Sequence, residues 1–124
     1  MTAIDVCPAH LVALAENMAE RARDVVETFW RTGTQVDHKA DNSPVTQADR
    51  AIETALRGMI AAERPNDGIW GEEHGSERLD AEWVWVLDPI DGTRAFISGL
   101  PTFATLISLL HNGKPVLGLI DQPI

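Results

Sequence analysis

Five consecutive apolar residues, Trp83-Val84-Trp85-Val86-Leu87, constrain this chain more than any other stretch. No polar residue interrupts the run, so it leaves no side for water. A short aromatic and branched run of this kind predicts a β-strand buried on both faces. The chain has the means to cover one: 44% of its 124 residues are hydrophobic, which suits one small domain with a real core.

The covering elements come first in the sequence. Over residues 9–30, Leu11, Ala15, Met18, Ala22, Val25 and Phe29 fall at spacings of three and four. Glu16, Glu20, Arg21, Arg23 and Asp24 lie largely on other faces, and this period predicts an amphipathic helix that stops near Gly33. Residues 31–45 are polar and irregular and include Pro44, which predicts a loop or weak hairpin. A second helix is expected from about Thr46 to Glu63, striped by Ile52, Leu56, Met59 and Ile60 and ended by Pro65 and Asn66. Gly68-Ile69-Trp70-Gly71 then reads as a short strand running into an acidic turn, Glu72-Glu73-His74-Gly75. Phe103 to Leu110 and Val116 to Ile120 read as two more strands. The linker His111-Asn112-Gly113-Lys114 carries Asn-Gly, the strongest short hairpin signal. The expected class is α+β, with two N-terminal helices packed on an antiparallel sheet.

Charge narrows the functional classes. Ten Lys and Arg stand against 19 Asp and Glu, net −9, with no basic cluster; a nucleic-acid surface needs the opposite balance. No stretch approaches the ~18 apolar residues of a membrane span. The opening residues MTAIDVCPAH lack a basic region followed by an apolar one, so no secretory signal is expected. Cys7 is the single cysteine. It permits no intrachain disulfide, fits a reducing cytosol, and by itself makes no case for a nucleophile.

Acids become informative where they gather against their own repulsion. Asp88-Pro89-Ile90-Asp91-Gly92-Thr93 follows directly on the buried run, and two aspartates three apart at a strand end deliver two carboxylates to one spot. Pro89 restricts the entry, and Gly92 lets the backbone approach a ligand. Thr93 opens a short helix, Arg94 to Ser98, whose free amides favour a phosphate. Carboxylates beside a phosphate cradle call for a divalent cation, and hard oxygens suit Mg²⁺. The same six residues also suit an ordinary polar turn. Glu72 and Glu73 offer a further metal ligand and a water-positioning group, or a solvated acidic turn. His74 reads as a supporting residue, since Mg²⁺ prefers oxygen. Thr46-x-x-Asp49 matches a helix capping box. Lys39 is placed to orient an anion, to pair with an acid, or to remain solvated.

Three ordered motifs together carry a resemblance: Lys39-Ala40-Asp41-Asn42-Ser43-Pro44-Val45-Thr46-Gln47-Ala48-Asp49, then Gly71-Glu72-Glu73-His74-Gly75, then Trp85 through Thr93. In order and separation the chain resembles the inositol monophosphatase family over nearly everything after the first helix. The resemblance implies the first half of a layered αβαβα fold and a phosphomonoesterase that uses two or three Mg²⁺ ions. It implies metal ligation by Glu72, Asp88, the carbonyl of Ile90 and Asp91, with Asp49 holding a further, looser ion or its water. Thr93 and Glu72 would orient the attacking water, and the Gly92 and Thr93 amides would hold phosphate. Lys39 and Arg94 are the candidate cations for that phosphate.

Ala95 stands where the family often has Asn. The run Thr93-Arg94-Ala95-Phe96-Ile97-Ser98-Gly99 and the ending Ile120-Asp121-Gln122-Pro123 look most like histidinol-phosphate phosphatases of the family. Histidinol phosphate is therefore the expected substrate, inositol 1-phosphate the rival, and a non-catalytic metal-binding half-domain the alternative of another class. Family members are about twice as long, so residues 1–124 are expected to form the N-terminal part of the phosphatase domain. The expected setting of the full-length protein is a cytoplasmic homodimer acting on a small phosphorylated metabolite.

Overall fold

The computed structural model describes residues 7–32, 36–39 and 44–124. Gly33, the expected helix stop, and Ala40 to Ser43 of the first motif lie outside them. Helix α1 spans Ala9–Phe29 and α2 spans Gln47–Glu63. Leu11, Ala15, Met18, Ala22 and Val25 of α1 are buried, as are Ile52, Leu56 and Ile60 of α2; Phe29 and Met59 are half-buried against the same core. Burying each large aliphatic side chain contributes about 1.5–3 kcal/mol, more than helix propensity alone supplies.

The segment expected to be irregular forms two short strands, β1 (Val36–His38) and β2 (Pro44–Thr46), which pair antiparallel. Strand β2 passes straight into α2 at Thr46. The capping box is formed: Thr46 Oγ1 accepts from the Asp49 amide at 3.3 Å, and Asp49 Oδ2 accepts from the Thr46 amide at 2.9 Å.

Five strands make the main sheet, in the order β4-β3-β5-β6-β7. They are β3 (Gly68–Gly71), β4 (Gly75–Glu77), β5 (Trp83–Asp91), β6 (Ala104–His111) and β7 (Lys114–Asp121), with helix α3 (Thr93–Ile97) between β5 and β6. The α+β class holds, with one correction: the sheet is mixed, because β3 and β5 pair in parallel while the other neighbours are antiparallel. The reason is β4, a strand not anticipated from its exposed Gly-Ser-Glu composition. It reverses the chain once, the loop to β5 reverses it again, and β5 returns beside β3 in the direction of β3. The Asn112-Gly113 turn joins β6 to β7 as expected, both residues at positive φ.

Both helices cover one face of this sheet. Ile69, Trp85, Leu87, Ile107 and Leu109 point into the core with α1 and α2. The opposite face carries Trp70, Val86 and Ser108 across neighbouring strands, then Asp88, Leu106 and Ile120. Trp70 is 57% and Ile120 77% exposed, so the described residues leave much of that face open, although Val84 of the Trp83–Leu87 run is buried on it. No described helix is long and apolar enough to cross a membrane.

Candidate active site

Strand β5 does not stop before the aspartates but continues through them. Asp88 pairs with Leu106 and Asp91 with Ala104, so three steps on β5 match two on β6. This is a β-bulge, and it tolerates Pro89, which has no N–H to give to a ladder. The bulge is pinned from both sides. Thr105 Oγ1 donates to the Pro89 carbonyl at 2.8 Å, and Ile90 is buried. Gly92 follows with φ 93°, a left-handed conformation that disfavours any other residue. A Cβ there would also stand 3.0 Å from the Thr102 carbonyl oxygen. Gly92 caps α3, whose first amides have no partner within the helix.

Two features of α2 reach this bulge. Its N-terminal Asp49, 1% exposed, accepts from the Thr93 hydroxyl on Oδ1 at 3.3 Å. That hydroxyl also stands 3.1 Å from the Ile90 carbonyl. One turn further on, Glu53 is fully buried and accepts the amides of Glu73 (2.8 Å) and His74 (2.7 Å) and Nε of Arg57 (3.0 Å). The Glu72 amide donates to the Leu87 carbonyl at 3.2 Å, which places the acidic turn beside Asp88, the next residue of β5. His74 Nε2 lies 3.1 Å from Thr54 Oγ1 and 3.2 Å from the Arg50 carbonyl, which ties the acidic turn to α2.

Lys39 pairs with acids. Its Nζ is 3.0 Å from Glu73 and 3.5 Å from Glu72. The Arg50–Asp37 ion pair, at 2.8 Å, ties the preceding strand to α2. Burial would lower this ammonium, but the hydrogen bond and charge of Glu73, with Glu72, hold it above its ordinary range. Arg94 is exposed on α3.

Electrostatics single out Asp88. Burial first, then the charges of Glu72, Asp91 and Asp49, push its carboxyl up to about 7, with Lys39 opposing. Burial also raises Asp49, against its hydrogen bonds from Thr46 and Thr93. Burial raises Glu73, against Lys39. The acids from the three motifs therefore share one field. Among the described residues, however, no three Asp, Glu, His or Cys side chains stand in a metal-ligating arrangement. The expected convergence of Glu72, Asp88 and Asp91 on one cation-sized point is not preformed. Glu72 and Glu73 turn to the Lys39 ammonium, and Asp49 is spent on its cap. The donor set nonetheless suits a hard divalent cation: it is all oxygen, and a cation there would offset both the burial and the mutual repulsion that raise Asp88. An open cavity of about 340 Å³, lined by Trp70, Gly71, Glu72, Val86, Leu87 and Asp88, adjoins these carboxylates.

Sequence reasoning missed Glu53. The signal was present: an acid inside the Ile52–Leu56 stripe, with Arg57 four residues on at ion-pair spacing. Only a polar partner in the core makes such an acid tolerable.

The profile of the inositol monophosphatase family matches residues 8–124. The chain is 46% identical over 114 residues to the chloroplastic bifunctional phosphatase IMPL2 of Arabidopsis thaliana, covering 90% of this chain and 33% of that protein. It is 40% identical over 111 residues to the histidinol-phosphatase of Mycobacterium tuberculosis, covering 89% and 43%. It is also 40% identical over 122 residues to a probable inositol 1-monophosphatase of the same organism, covering 92% and 44%. Among solved structures, the extragenic suppressor protein suhB from Bartonella henselae superposes with a TM-score of 0.87 at 30% identity, covering 93% of this chain and 46% of that one. The chain thus spans a third to less than half of the length of these relatives. On the profile match, the ordered motifs and the shared fold, the chain belongs to the inositol monophosphatase family.

Proposed function

We propose that the protein is a Mg²⁺-dependent phosphomonoesterase acting on a small phosphorylated metabolite, with L-histidinol phosphate as the leading substrate. The observation that carries this reading is geometric: the β-bulge holds Asp88 and Asp91 next to the Gly92-Thr93 amides, with Glu72 tied to the residue before Asp88 and Asp49 bonded to Thr93. Relatives named for phosphatase activity support the reaction class. Since the chain matches less than half of those relatives, the activity is proposed for a polypeptide in which residues 1–124 are the N-terminal part of the domain. The apolar sheet face bearing Trp70, Leu106 and Ile120 suits a further covering layer. A cytoplasmic homodimer is proposed for that full-length protein.

Glu72, Asp88, the Ile90 carbonyl and Asp91 would hold the metal, with Asp49 at a looser further ion or its water. Bound Mg²⁺ would neutralise charge on the phosphoryl oxygens and acidify water, which unaided monoester hydrolysis lacks. The protein's own groups do the placing. The Thr93 hydroxyl gives its proton either to Asp49 Oδ1 or to the Ile90 carbonyl, which leaves its lone pairs free to accept a hydrogen bond from water and orient it. Glu72, 52% exposed at its side chain, shares that task. The Gly92 and Thr93 amides at the start of α3 donate to phosphate, and Arg94 and Lys39 are the cations near enough in the fold to assist. Lys39 would first have to loosen from Glu72 and Glu73.

The choice of histidinol phosphate rests on the Arg94–Phe103 run and the Asp121-Gln122-Pro123 ending, and a relative named histidinol-phosphatase supports it. A relative named for inositol 1-phosphate supports the rival equally. Phosphate release from both esters, measured in parallel with and without Mg²⁺, tests the proposal. No release from either ester by the full-length protein at saturating Mg²⁺ would leave only the metal-binding, non-catalytic reading.

A further inference from the structure

Glu53 takes no part in the reaction proposed above, yet it is a fully buried carboxylate in the middle of α2. Three N–H donors converge on it: the amides of Glu73 and His74 and the guanidinium of Arg57. Arg57 also donates to the Gly75 carbonyl, so the pair grips both ends of the turn that follows Glu72. Contact with the turn is close enough to dictate sequence. A Cβ on Gly71 would stand 2.3 Å from the Glu53 carboxylate, a separation that no packed side chain tolerates.

The consequence falls on Glu72. Its own amide is held by the Leu87 carbonyl of β5, and the next two amides are held by Glu53. Glu72 is therefore bracketed between the strand that carries Asp88 and the helix that carries Asp49. Its side chain is half exposed, and among the described residues its ion pair is with Lys39. Backbone placement helps to aim it. Four residues separate Asp49 and Glu53, one helical turn, so a single rigid helix sets the Thr93 side of the site with one acid and the Glu72 side with the next.

We propose that Glu53 is a positioning residue for Glu72, fixing through the Glu73 and His74 amides the direction in which that carboxylate meets the cation. The proposal rests on the metal-dependent reading above. A solely structural Glu53 would affect stability and leave cation affinity alone; a positioning Glu53 affects both.

The test uses Mn²⁺ as a paramagnetic probe, titrated by water-proton relaxation at a temperature where circular dichroism shows each variant folded. Glu53→Gln keeps the volume but has one oxygen in place of two, so at least one of the three donors loses its acceptor. Loss of such an outer-shell partner weakens metal affinity by about 10-fold. Glu72→Gln should weaken it at least as much, and the double variant should bind no more weakly than Glu72→Gln alone, because Glu53 acts through Glu72. Wild-type affinity in Glu53→Gln, or additive losses in the double variant, would overturn the positioning role. If Glu53→Gln does not fold, Arg57→Ala loosens the same carboxylate from a partly exposed position and must show the same weakening and the same non-additivity, or the proposal falls. The metal-dependent reading fails separately: it is lost if Glu72→Gln and Asp88→Asn both bind Mn²⁺ as wild type does.

Discussion

Asp88→Asn should make the protein more stable at neutral pH in the presence of a chelator, an unusual result for a site residue. The Asp88 carboxyl is raised from 3.8 to about 7 by burial and by Glu72, Asp91 and Asp49. A raised carboxylate means that the folded state holds a proton that the unfolded state has already released. Between about pH 4 and 7 the fold therefore binds more protons, and its stability falls as pH rises through that window. At about 1.4 kcal/mol per unit, the shift sets an upper limit of about 4 kcal/mol on this loss. Asp88 is only partly buried, and solvent screening reduces the expected effect to roughly 1–2 kcal/mol. Urea unfolding in EDTA at pH 3, below the ordinary carboxylate value of 3.8, and at pH 8 measures it. Wild type minus Asp88→Asn should be near zero at the acid end and unfavourable to wild type by that amount at pH 8. Glu73, whose shift comes from burial and from groups other than Asp88, cancels in the difference. Saturating Mg²⁺ should erase the advantage of the variant, since the cation stabilises only the carboxylate. An Asp88→Asn protein that is less stable than wild type at pH 8 in EDTA would refute the reasoning.

Asp91→Asn in the full-length protein should keep the fold and lose most phosphate release, because a neutral amide is a poorer ligand of equal volume; wild-type turnover at saturating Mg²⁺ would make Asp91 a turn residue only. Gly71→Ala should cost about 1–3 kcal/mol through overpacking against Glu53, read as a drop in the thermal midpoint, and an unchanged midpoint would contradict the close contact seen there. Histidinol phosphate should exceed inositol 1-phosphate in kcat/KM by at least ~10-fold, about 1.4 kcal/mol of transition-state discrimination. Equal rates would remove the substrate assignment and leave the phosphatase reading intact.

Local chemistry was legible wherever one segment settles its own structure. The stripes of α1 and α2 announce which face is buried, Thr46 and Asp49 cap their own helix, and Asn112-Gly113 closes its own hairpin. Each of these is decided by residues within a few positions of one another, so no knowledge of the rest of the chain is needed. The order of the three acidic motifs likewise identified the family, because motif spacing is a property of the sequence itself.

What lay beyond reach depends on partners distant in the chain. Strand β4 has no apolar period and exists only because β3 offers it an edge, and from it follows the parallel pairing of β3 with β5. Whether Trp83–Leu87 is covered on one face or two depends on what packs there, which its composition cannot state. The bulge that carries Asp88 and Asp91 arises from the register against Leu106 and Ala104, not from Pro89 alone. Glu53 acquires its role only when tertiary packing brings the Glu73 and His74 amides onto it. The sequence by itself determined which residues are acidic, which cap α2 and which helix stripes face the core. Only the tertiary structure decided which acids share one field, because Coulomb repulsion and hydrogen bonding depend on distance in space rather than separation along the chain.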